Sequence, residues 1–325
     1  NVVRDISMNV KNSGDITLGN GTAGIYLKAD PSSTNRSNVE HSGNITVGDT
    51  IFNASGVAEN SSVGIYTEKS NVTSTGNITV GNKGMVLFGS DSTINMNSGN
   101  IDYSNDGSLA YLENSVLNYN INGTLQTYSD PMLFINNSTV TMAQNDINVS
   151  NNGVAAYING NSQFKNWKKI TLGQNSVGMY GNNADLVSEG NLIEGTSQKS
   201  RGIIGVNSNL RNSASMKISG DESLGIYSRN ASGTAKTIEN TGNMEISGKK
   251  TVGAYLEGSA EQTFNNKGNI TVSDSTDSDR NNSTIGIYAK DGATVNITNE
   301  AQINTGKKSV GIYSISNGYV TTTNT

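Results

Sequence analysis

The chain has 325 residues, of which 33% are hydrophobic and 6% aromatic, with 37 Gly, 2 Pro and 49 Asn, and its net charge is −5. The absence of Cys excludes disulfide and thiolate chemistry, and the scattered basic residues of an acidic chain argue against a nucleic-acid partner. No apolar run approaches the length of a membrane span. Such a polar chain could be disordered, but its apolar residues recur at fixed spacing, which indicates a regular repeat.

A Gly–aliphatic–Tyr motif is the clearest repeated feature. Full copies end at Tyr26, Tyr66, Tyr180, Tyr227, Tyr255, Tyr288 and Tyr313. Degenerate copies are placed so that they end at Val86, Tyr111, Phe134, Tyr157 and Ile204. Between Tyr111 and Tyr227 the motif returns every 23 or 24 residues. This regularity predicts about 12 coils of about 23 residues each.

Two further motifs precede the Tyr motif within each period. One is Gly-Asn-Ile-Thr-Val, as at Gly76–Val80, and an earlier one alternates polar and apolar residues, as at Thr93–Met96. In chain order, each coil therefore holds a first, a second and a third strand, of which the third carries the Tyr motif. Gly, Asn and Ser residues separate these strands, because Gly and Asn tolerate the positive φ that tight corners require.

This pattern predicts an all-β fold, a right-handed parallel β-helix (solenoid) with three short strands per coil. The period is too short for propeller blades, and both helical spacing and the leucine-rich signature are missing. Equivalent strands of successive coils would pair in parallel about 4.8 Å apart, and the right hand follows the usual preference of parallel crossovers. Neither end resembles a cap, so we expect residues 1–325 to form a single β-helix segment of a longer protein.

Insertions are predicted where the period lengthens, near residues 30–38, 49–62, 228–236 and 273–284. Insertions on a solenoid are the usual positions of specific recognition, although any one of them could equally be neutral. The insertions at 49–62 and 273–284 both lie between a second and a third strand. We therefore expect them at the same edge of the solenoid.

The Tyr side chains are expected to form a file on the outside of the solenoid. The residue before each Tyr is apolar and is placed inward, which turns the Tyr outward, although the mixed flanking pattern leaves the opposite orientation open. An outward file could stack sugar rings or bind a partner protein, or it could stack from coil to coil and only stabilise the fold. The Tyr residues that we select as candidate partner contacts are Tyr26, Tyr66, Tyr157, Tyr180, Tyr227, Tyr255, Tyr288 and Tyr313.

Other candidate contacts lie outside this file. Phe52 is the aromatic residue of the 49–62 insertion, and Trp167 stands among Lys residues, where it could be a sugar platform or a local packing residue. Asp274, Asp277 and Asp279 could supply oxygen ligands to calcium, but their spacing fits no EF-hand loop, and a solvated loop is the alternative.

No catalytic, cofactor or metal site is predicted. His41 is the single His and is expected at the surface beside a corner; without a second His or a Cys it supports neither a zinc site nor a Ser–His–Asp triad. No coil carries the paired carboxylates that glycoside hydrolysis requires. We therefore expect a protein that is not an enzyme and that needs no cofactor.

The Gly76–Val80 and Val310–Tyr313 blocks resemble passenger domains of the large fusobacterial autotransporter adhesins, which are type Va secreted proteins of the RadD kind. The resemblance spans the chain but rests on the style of the repeat. It implies a virulence-related domain on the cell surface, tethered to the bacterial outer membrane by a C-terminal barrel outside this sequence. It also implies adhesion to host cells or other bacteria through protein or glycan receptors, with the segment itself monomeric.

Two alternatives to adhesion remain at this point. The segment could be a passive stalk that presents a binding tip located elsewhere in the parent protein. It could also belong to a β-helical enzyme that cleaves carbohydrates, although the carboxylate pattern speaks against this reading.

Overall fold

A computed structural model describes residues 7–28, 35–103, 106–275, 279, 282–291, 293–297, 301–316 and 319–322, with backbone only for 166, 295–297 and 319–322. The chain divides into two compact units, Asn1–Asn145 and Asp146–Thr325. Regular structure in the described residues is β-strand throughout. No helix in this part of the chain has the length and apolar character needed to cross a membrane.

The strands of the first unit are short, with two to six residues each. In chain order they are β1 (Asn9–Asn12), β2 (Ile16–Thr17), β3 (Ala23–Leu27), β4 (Ser37–His41), β5 (Ile45–Val47), β6 (Ile51–Phe52), β7 (Ala58–Asn60), β8 (Val63–Glu68), β9 (Ser70–Ser74), β10 (Ile78–Val80), β11 (Met85–Ser90), β12 (Thr93–Met96), β13 (Ile101–Asp102), β14 (Ser108–Glu113), β15 (Val116–Tyr119), β16 (Gly123–Gln126), β17 (Leu133–Asn136) and β18 (Thr139–Thr141).

The second unit continues the same order, except that two of its strands run through all three strand positions of a coil without a break. Its strands are β19, which begins at the last residue of the first unit (Asn145–Val149), β20 (Val154–Leu172), β21 (Val177–Gly195), β22 (Arg201–Val206), β23 (Asn209–Asn212), β24 (Ser215–Ile218), β25 (Leu224–Arg229), β26 (Lys236–Asn240), β27 (Met244–Ile246), β28 (Val252–Glu257), β29 (Gln262–Asn266), β30 (Ile270–Val272), β31 (Ile285–Lys290), β32 (Ala293–Ile297), β33 (Ile303–Thr305), β34 (Val310–Ile315) and β35 (Tyr319–Thr322).

Each unit is a parallel β-solenoid, which confirms the predicted fold class. Third strands pair in parallel with the third strand of the next coil, for example β8 with β11 and β25 with β28. First strands do the same, as β9 with β12, and so do second strands, as β5 with β10. The third strands enclose about ten complete turns within the two units. The right hand of the coil stays a prediction.

The interior of the solenoid is a narrow column of aliphatic side chains. Ile65, Met179 and Ile226, each directly before a Tyr, are completely buried, whereas Tyr26 keeps 58% of its surface exposed. The outward orientation of the Tyr file is therefore confirmed. Because the strands are short and Ser, Thr and Asn also occupy some inward positions, a chain with so few apolar residues can still fill its core.

One degenerate copy of the Tyr motif was placed in the wrong register. The strand pairing sets Phe88 beside Tyr66, so the copy ends at Phe88 and not at Val86. Val86 instead takes the place of the motif Gly and is completely buried. The error arose because Gly84 and Met85 imitate the start of the motif two residues early.

In most coils that carry it, the motif Gly lies close to the carbonyl oxygen of the next coil. A Cβ on Gly225 would lie 2.5 Å from the carbonyl oxygen of Gly253, and a Cβ on Gly253 would lie 2.5 Å from that of Gly286. Such distances are well inside van der Waals contact, so a side chain here would push neighbouring coils apart. The repeated Gly is therefore explained by stacking and not by a positive φ.

The corners on either side of most third strands use a residue with positive φ. Asn114 (48°) and Asn183 (50°) occupy the corner after such a strand, and Asn175 (53°) the corner before it. The prediction that Gly and Asn would dominate is only partly right, since Lys69 (47°) and Lys250 (53°) adopt the same conformation. Asn is favoured because its short polar side chain tolerates this region.

Buried amides form a continuous ladder inside the second unit. Nδ2 of Asn212 donates to Oδ1 of Asn240 at 2.8 Å, and Nδ2 of Asn240 donates to Oδ1 of Asn266, also at 2.8 Å. Each amide also donates to a backbone carbonyl two residues later in its own chain segment. These residues are completely buried, so a satisfied ladder avoids the cost of unpaired polar groups.

His41 lies in the interior and not at the surface as expected. It is 1% exposed and stands between Asn12 and Ser74 in the stack formed by β1, β4 and β9. Nδ2 of Asn12 contacts its Nδ1 at 3.2 Å, while its Nε2 and the hydroxyl of Ser74 find no hydrogen-bond partner in the described part of the chain. Burial lowers the pKa of His41, opposed by a backbone contact with Gly43 and by the charge of Asp15.

We predict that Gly225→Ala destabilises the solenoid while Gly205→Ala does not. A methyl group on Gly225 meets the Gly253 carbonyl at 2.5 Å, whereas the nearest atom to a methyl on Gly205 lies at 3.6 Å. Urea unfolding followed by circular dichroism should show a loss of about 1–3 kcal/mol for Gly225→Ala. For Gly205→Ala the free energy of unfolding should stay unchanged or rise by up to about 1 kcal/mol. Equal losses for the two variants would refute the stacking explanation.

We also predict that acid loosens the coils around His41. Because the folded-state pKa is lowered, the stability contribution is complete above the ordinary value of 6.5 and is lost as the pH falls below it. Amide hydrogen exchange at residues 37–45, corrected for the intrinsic pH effect, should therefore accelerate below about pH 6.5. In His41→Asn, which continues the amide stack, this acceleration should disappear. If both proteins respond alike, another group is responsible.

Candidate binding surfaces

In the first unit the aromatic file is a stack of nearly parallel rings. Tyr66 and Phe88 lie 4.5 Å apart between ring centroids with planes 2° apart, and Phe88 and Tyr111 lie 5.3 Å apart at 3°. Tyr26 stacks on Tyr66 at 4.7 Å and 21°, while Phe134, at the far end of the file, lies 6.1 Å from Tyr111 and is tilted by 32°. Each inner ring therefore has both faces covered by its neighbours. Only the edges of these inner rings are open to a ligand. The stacking of the file favours the alternative in which the rings stabilise the fold from coil to coil.

The file of the second unit is less regular. Tyr157 and Tyr180 still stack at 5.3 Å and 22°, but Ile204 takes the next position and interrupts the file. Beyond it the rings turn against one another. The angle between ring planes is 54° for Tyr227 and Tyr255, 74° for Tyr255 and Tyr288, and 34° for Tyr288 and Tyr313. Turned rings leave part of their faces uncovered.

Glu257 holds two of the turned rings. Its carboxylate accepts hydrogen bonds from the hydroxyls of Tyr227 at 2.5 Å and Tyr255 at 2.8 Å. Partial burial would raise the pKa of Glu257, but these bonds and the nearby cations Lys290 and Arg229 outweigh it, so the pKa is lowered. The first unit has a related contact from Tyr66 to Glu68. In both units a glutamate two residues after a Tyr thus accepts a hydrogen bond from the Tyr hydroxyl and holds it in place.

A groove of about 290 Å³ lies beside the turned rings. Tyr255 and Tyr288 line one side, and the other side is aliphatic, formed by Leu224, Val252 and Ile285, which stack in register at the start of β25, β28 and β31. The groove therefore runs between an aromatic file and an aliphatic file on the outer face of the third strands.

Two charged residues border this groove at the corner before the third strands, Glu222 and Lys250. The Glu222 carboxylate pairs with Lys199 at 3.5 Å. Lys250 forms no ion pair in the described part of the chain, and the hydroxyl of Tyr288 likewise makes no hydrogen bond there. Partial burial raises the pKa of Tyr288, so its hydroxyl is a donor at neutral pH.

The 49–62 insertion forms a β-hairpin that projects from the first unit. Its strands β6 and β7 pair antiparallel, and Oδ1 of Asn53 accepts from the backbone N–H groups of Ser55 at 3.0 Å and Val57 at 2.9 Å. Phe52 is 39% exposed and Val57 60%. An ordered hairpin that exposes apolar side chains at its tip is a typical protein contact, which keeps Phe52 among the candidates.

The 228–236 insertion borders a polar trough on the second unit. Nδ2 of Asn230 fixes this loop by donating to the carbonyls of Thr234 at 2.8 Å and Glu261 at 2.7 Å. Lys236 lines one part of the trough together with Asn161 and Asp185. The trough has no aromatic wall, and Asp185 is engaged by Asn209 at 2.7 Å. The 30–38 insertion falls mostly outside the described residues.

Trp167 is not available to a partner, so its selection as a contact residue is wrong. It is 1% exposed, and its indole packs on Phe164 at 4.8 Å between ring centroids. A Cβ on Gly190 in the next coil would lie 2.0 Å from the indole, so that Gly provides the space for it. The neighbouring Lys residues had suggested a surface position, but Trp167 fills the column where the strand bulges.

The Asp-rich insertion is only partly described, and Asp277 lies outside the described residues. Oδ1 of Asp274 accepts the backbone N–H of Lys307 at 2.7 Å, so this side chain links successive coils. Asp279 is exposed, and its carbonyl accepts the N–H of Asn282 at 3.0 Å. Within the described part of the chain, no three His, Asp or Glu side chains gather as metal ligands.

Comparison with known proteins adds no family to this geometry. No protein-family model matches the chain, and no curated protein or solved structure is significantly similar to it. The resemblance to autotransporter adhesins therefore stays a prediction. The surfaces that stand out are the groove at Tyr255 and Tyr288 and the hairpin that carries Phe52.

We predict that the stacked file of the first unit contributes mainly to stability. Phe88→Ala removes two ring contacts and should lower the free energy of unfolding by about 1–3 kcal/mol. Phe88→Tyr keeps both contacts and should be close to neutral, because Tyr occupies this position in the neighbouring coils. Urea unfolding measures both variants. A neutral Phe88→Ala would show that the stack contributes no stability.

Proposed function

We propose that this chain is a surface-exposed bacterial adhesin segment that attaches to host cells or other bacteria. The observation that carries the proposal is the groove of the second unit, where Tyr255 and Tyr288 turn away from simple stacking and face an aliphatic wall. Such a mixture of aromatic, aliphatic and polar groups suits recognition of a glycan or a protein. The proposed action is binding, without a catalytic step or a cofactor.

The hairpin of the first unit supports the same proposal. It departs from the repeat, it is ordered by its own hydrogen bonds, and it presents Phe52 and Val57 to solvent. Stacking of the coils does not require such residues. The two surfaces belong to different units, so each is proposed as a contact in its own right.

The proposal includes an extracellular location with a tether to the bacterial outer membrane, as the resemblance of the repeat implies. The partner is a surface receptor of protein or glycan nature. A solenoid suits this setting, because its coils stabilise one another and require neither disulfides nor a large core.

A passive stalk is the second candidate, and the first unit favours it. There the rings cover one another with planes only 2° and 3° apart. Amide ladders along the outer face also consume polar groups, as where Nδ2 of Asn71 donates to Oδ1 of Asn38 at 3.0 Å. On such a surface the side chains of successive coils bond to one another and leave few groups for a partner.

An attachment assay separates the two candidates. Beads coated with the chain are incubated with epithelial cells and with bacteria, and the bound beads are counted. Tyr255→Ala/Tyr288→Ala should reduce attachment at least about fivefold, the effect of losing a central contact pair. Phe52→Ser/Val57→Ser should reduce it if the hairpin is a second contact.

The matched control is Thr263→Ala/Thr271→Ala, which changes outward residues of the first and second strands in the same unit. This variant should attach like the parent. Circular dichroism establishes that every variant is folded. If neither the Tyr pair nor the hairpin pair reduces attachment, or if the parent does not attach, the segment is a stalk.

A further inference from the structure

The groove at Tyr255 and Tyr288 has a defined chemical character. Its two walls consist of aromatic rings and aliphatic side chains. Ser283 also lines the groove but already has an interaction of its own. The polar groups that remain available to a ligand are the Lys250 ammonium and the Tyr288 hydroxyl. The Tyr255 hydroxyl is engaged by Glu257, and Glu222 is engaged by Lys199. Both remaining groups donate hydrogen bonds at neutral pH. The groove therefore favours a ligand that accepts hydrogen bonds and carries negative charge.

The size of the groove limits the ligand further. Its volume of about 290 Å³ lies at the lower end of the range of about 300–1,000 Å³ for small-molecule sites. It spans three third strands, β25, β28 and β31, whose successive coils lie about 4.8 Å apart. A groove of this size accommodates one or two sugar rings but not the surface of a folded protein.

An extended peptide is the competing occupant, and the backbone disfavours it. β28 pairs with β25 on one side and β31 on the other, so the groove has no free strand edge to which a peptide could add. Recognition must use side chains alone. A pyranose ring suits that requirement, because its carbon–hydrogen face packs on aromatic and aliphatic walls while its polar groups point to the rim.

We propose that this groove binds a carboxylated sugar, with the apolar ring face against Tyr255 and Tyr288 and the carboxylate on Lys250. This inference rests on the proposed adhesin function and names the ligand class of its main surface. The Tyr288 hydroxyl donates to a ring or glycosidic oxygen. A uronic acid and a sialic acid share the required chemistry, since each has a carboxylate on a pyranose ring.

Titration calorimetry on the full chain tests the assignment with four probes. Trigalacturonic acid and 3′-sialyllactose carry the carboxylate, while the methyl esters of both are their neutral counterparts. At least one acid should bind, and its neutral counterpart should bind at least about tenfold more weakly. Raising the salt concentration should weaken only the binding of the acid, because salt screens an exposed ion pair.

Lys250→Met should weaken the binding of the acid about tenfold and leave the affinity for its neutral counterpart unchanged. Lys308→Met is the matched control, since Lys308 is also an exposed corner residue with positive φ (56°, against 53° for Lys250) but does not line the groove. It should bind like the parent. Tyr288→Phe keeps the ring and removes the hydroxyl, so it should weaken the binding of the acid severalfold.

The assignment is overturned if neither acid binds, if a methyl ester binds as tightly as its acid, or if Lys250→Met has no effect. Tighter binding of the acidic peptide Asp-Phe-Asp than of either acid would assign the groove to peptides instead. A chain that attaches to cells but binds no acidic sugar refutes this ligand class and leaves the adhesin proposal standing. A chain that binds the acid but attaches to no cell refutes the adhesin proposal alone.

Discussion

Parallel hydrogen bonding between equivalent strands of successive coils is the constraint on which the rest of this structure depends. It sets Tyr66 beside Phe88 and Tyr227 beside Tyr255, and it places the other residues of these paired strands beside their counterparts in the next coil. A side chain therefore meets its counterpart about 4.8 Å away and must be compatible with it. Rings stack, amides form ladders, and Gly leaves room for the carbonyl oxygen of the next coil. Stability becomes a sum over neighbouring coils.

The same constraint explains where binding is possible. In a file of similar residues the side chains meet one another's contacts and hydrogen bonds, as the stacked rings of the first unit and the buried amides around Asn240 do. A surface for a partner arises where the file is disturbed. In the second unit the rings of Tyr227, Tyr255 and Tyr288 turn against one another, and in the first unit the hairpin departs from the repeat. Function in a repetitive fold is therefore sought at its departures from the repeat.

The errors of sequence interpretation have identifiable physical causes. The copy placed at Val86 was misaligned because Gly84 and Met85 imitate the motif, and only strand pairing reveals that Phe88 joins the file. His41 was expected at the surface, and Trp167 was selected as a partner contact because of the Lys residues beside it, with local packing as the alternative. Both are buried, since a residue's direction in a solenoid follows from its position in the strand and from local bulges, not from the polarity of its neighbours.

The amino-acid sequence by itself determined the strand order, the coil period and the positions of the 49–62 and 228–236 insertions, and it favoured an outward Tyr file, which the burial of the preceding residues confirmed. These features follow from local alternation and spacing, which each coil repeats. Only the tertiary structure decided the angle between Tyr255 and Tyr288, the groove beside them and the availability of Lys250. These depend on which residues meet across neighbouring coils 28 or more positions apart in the chain. Spacing along the chain cannot determine contacts made across it.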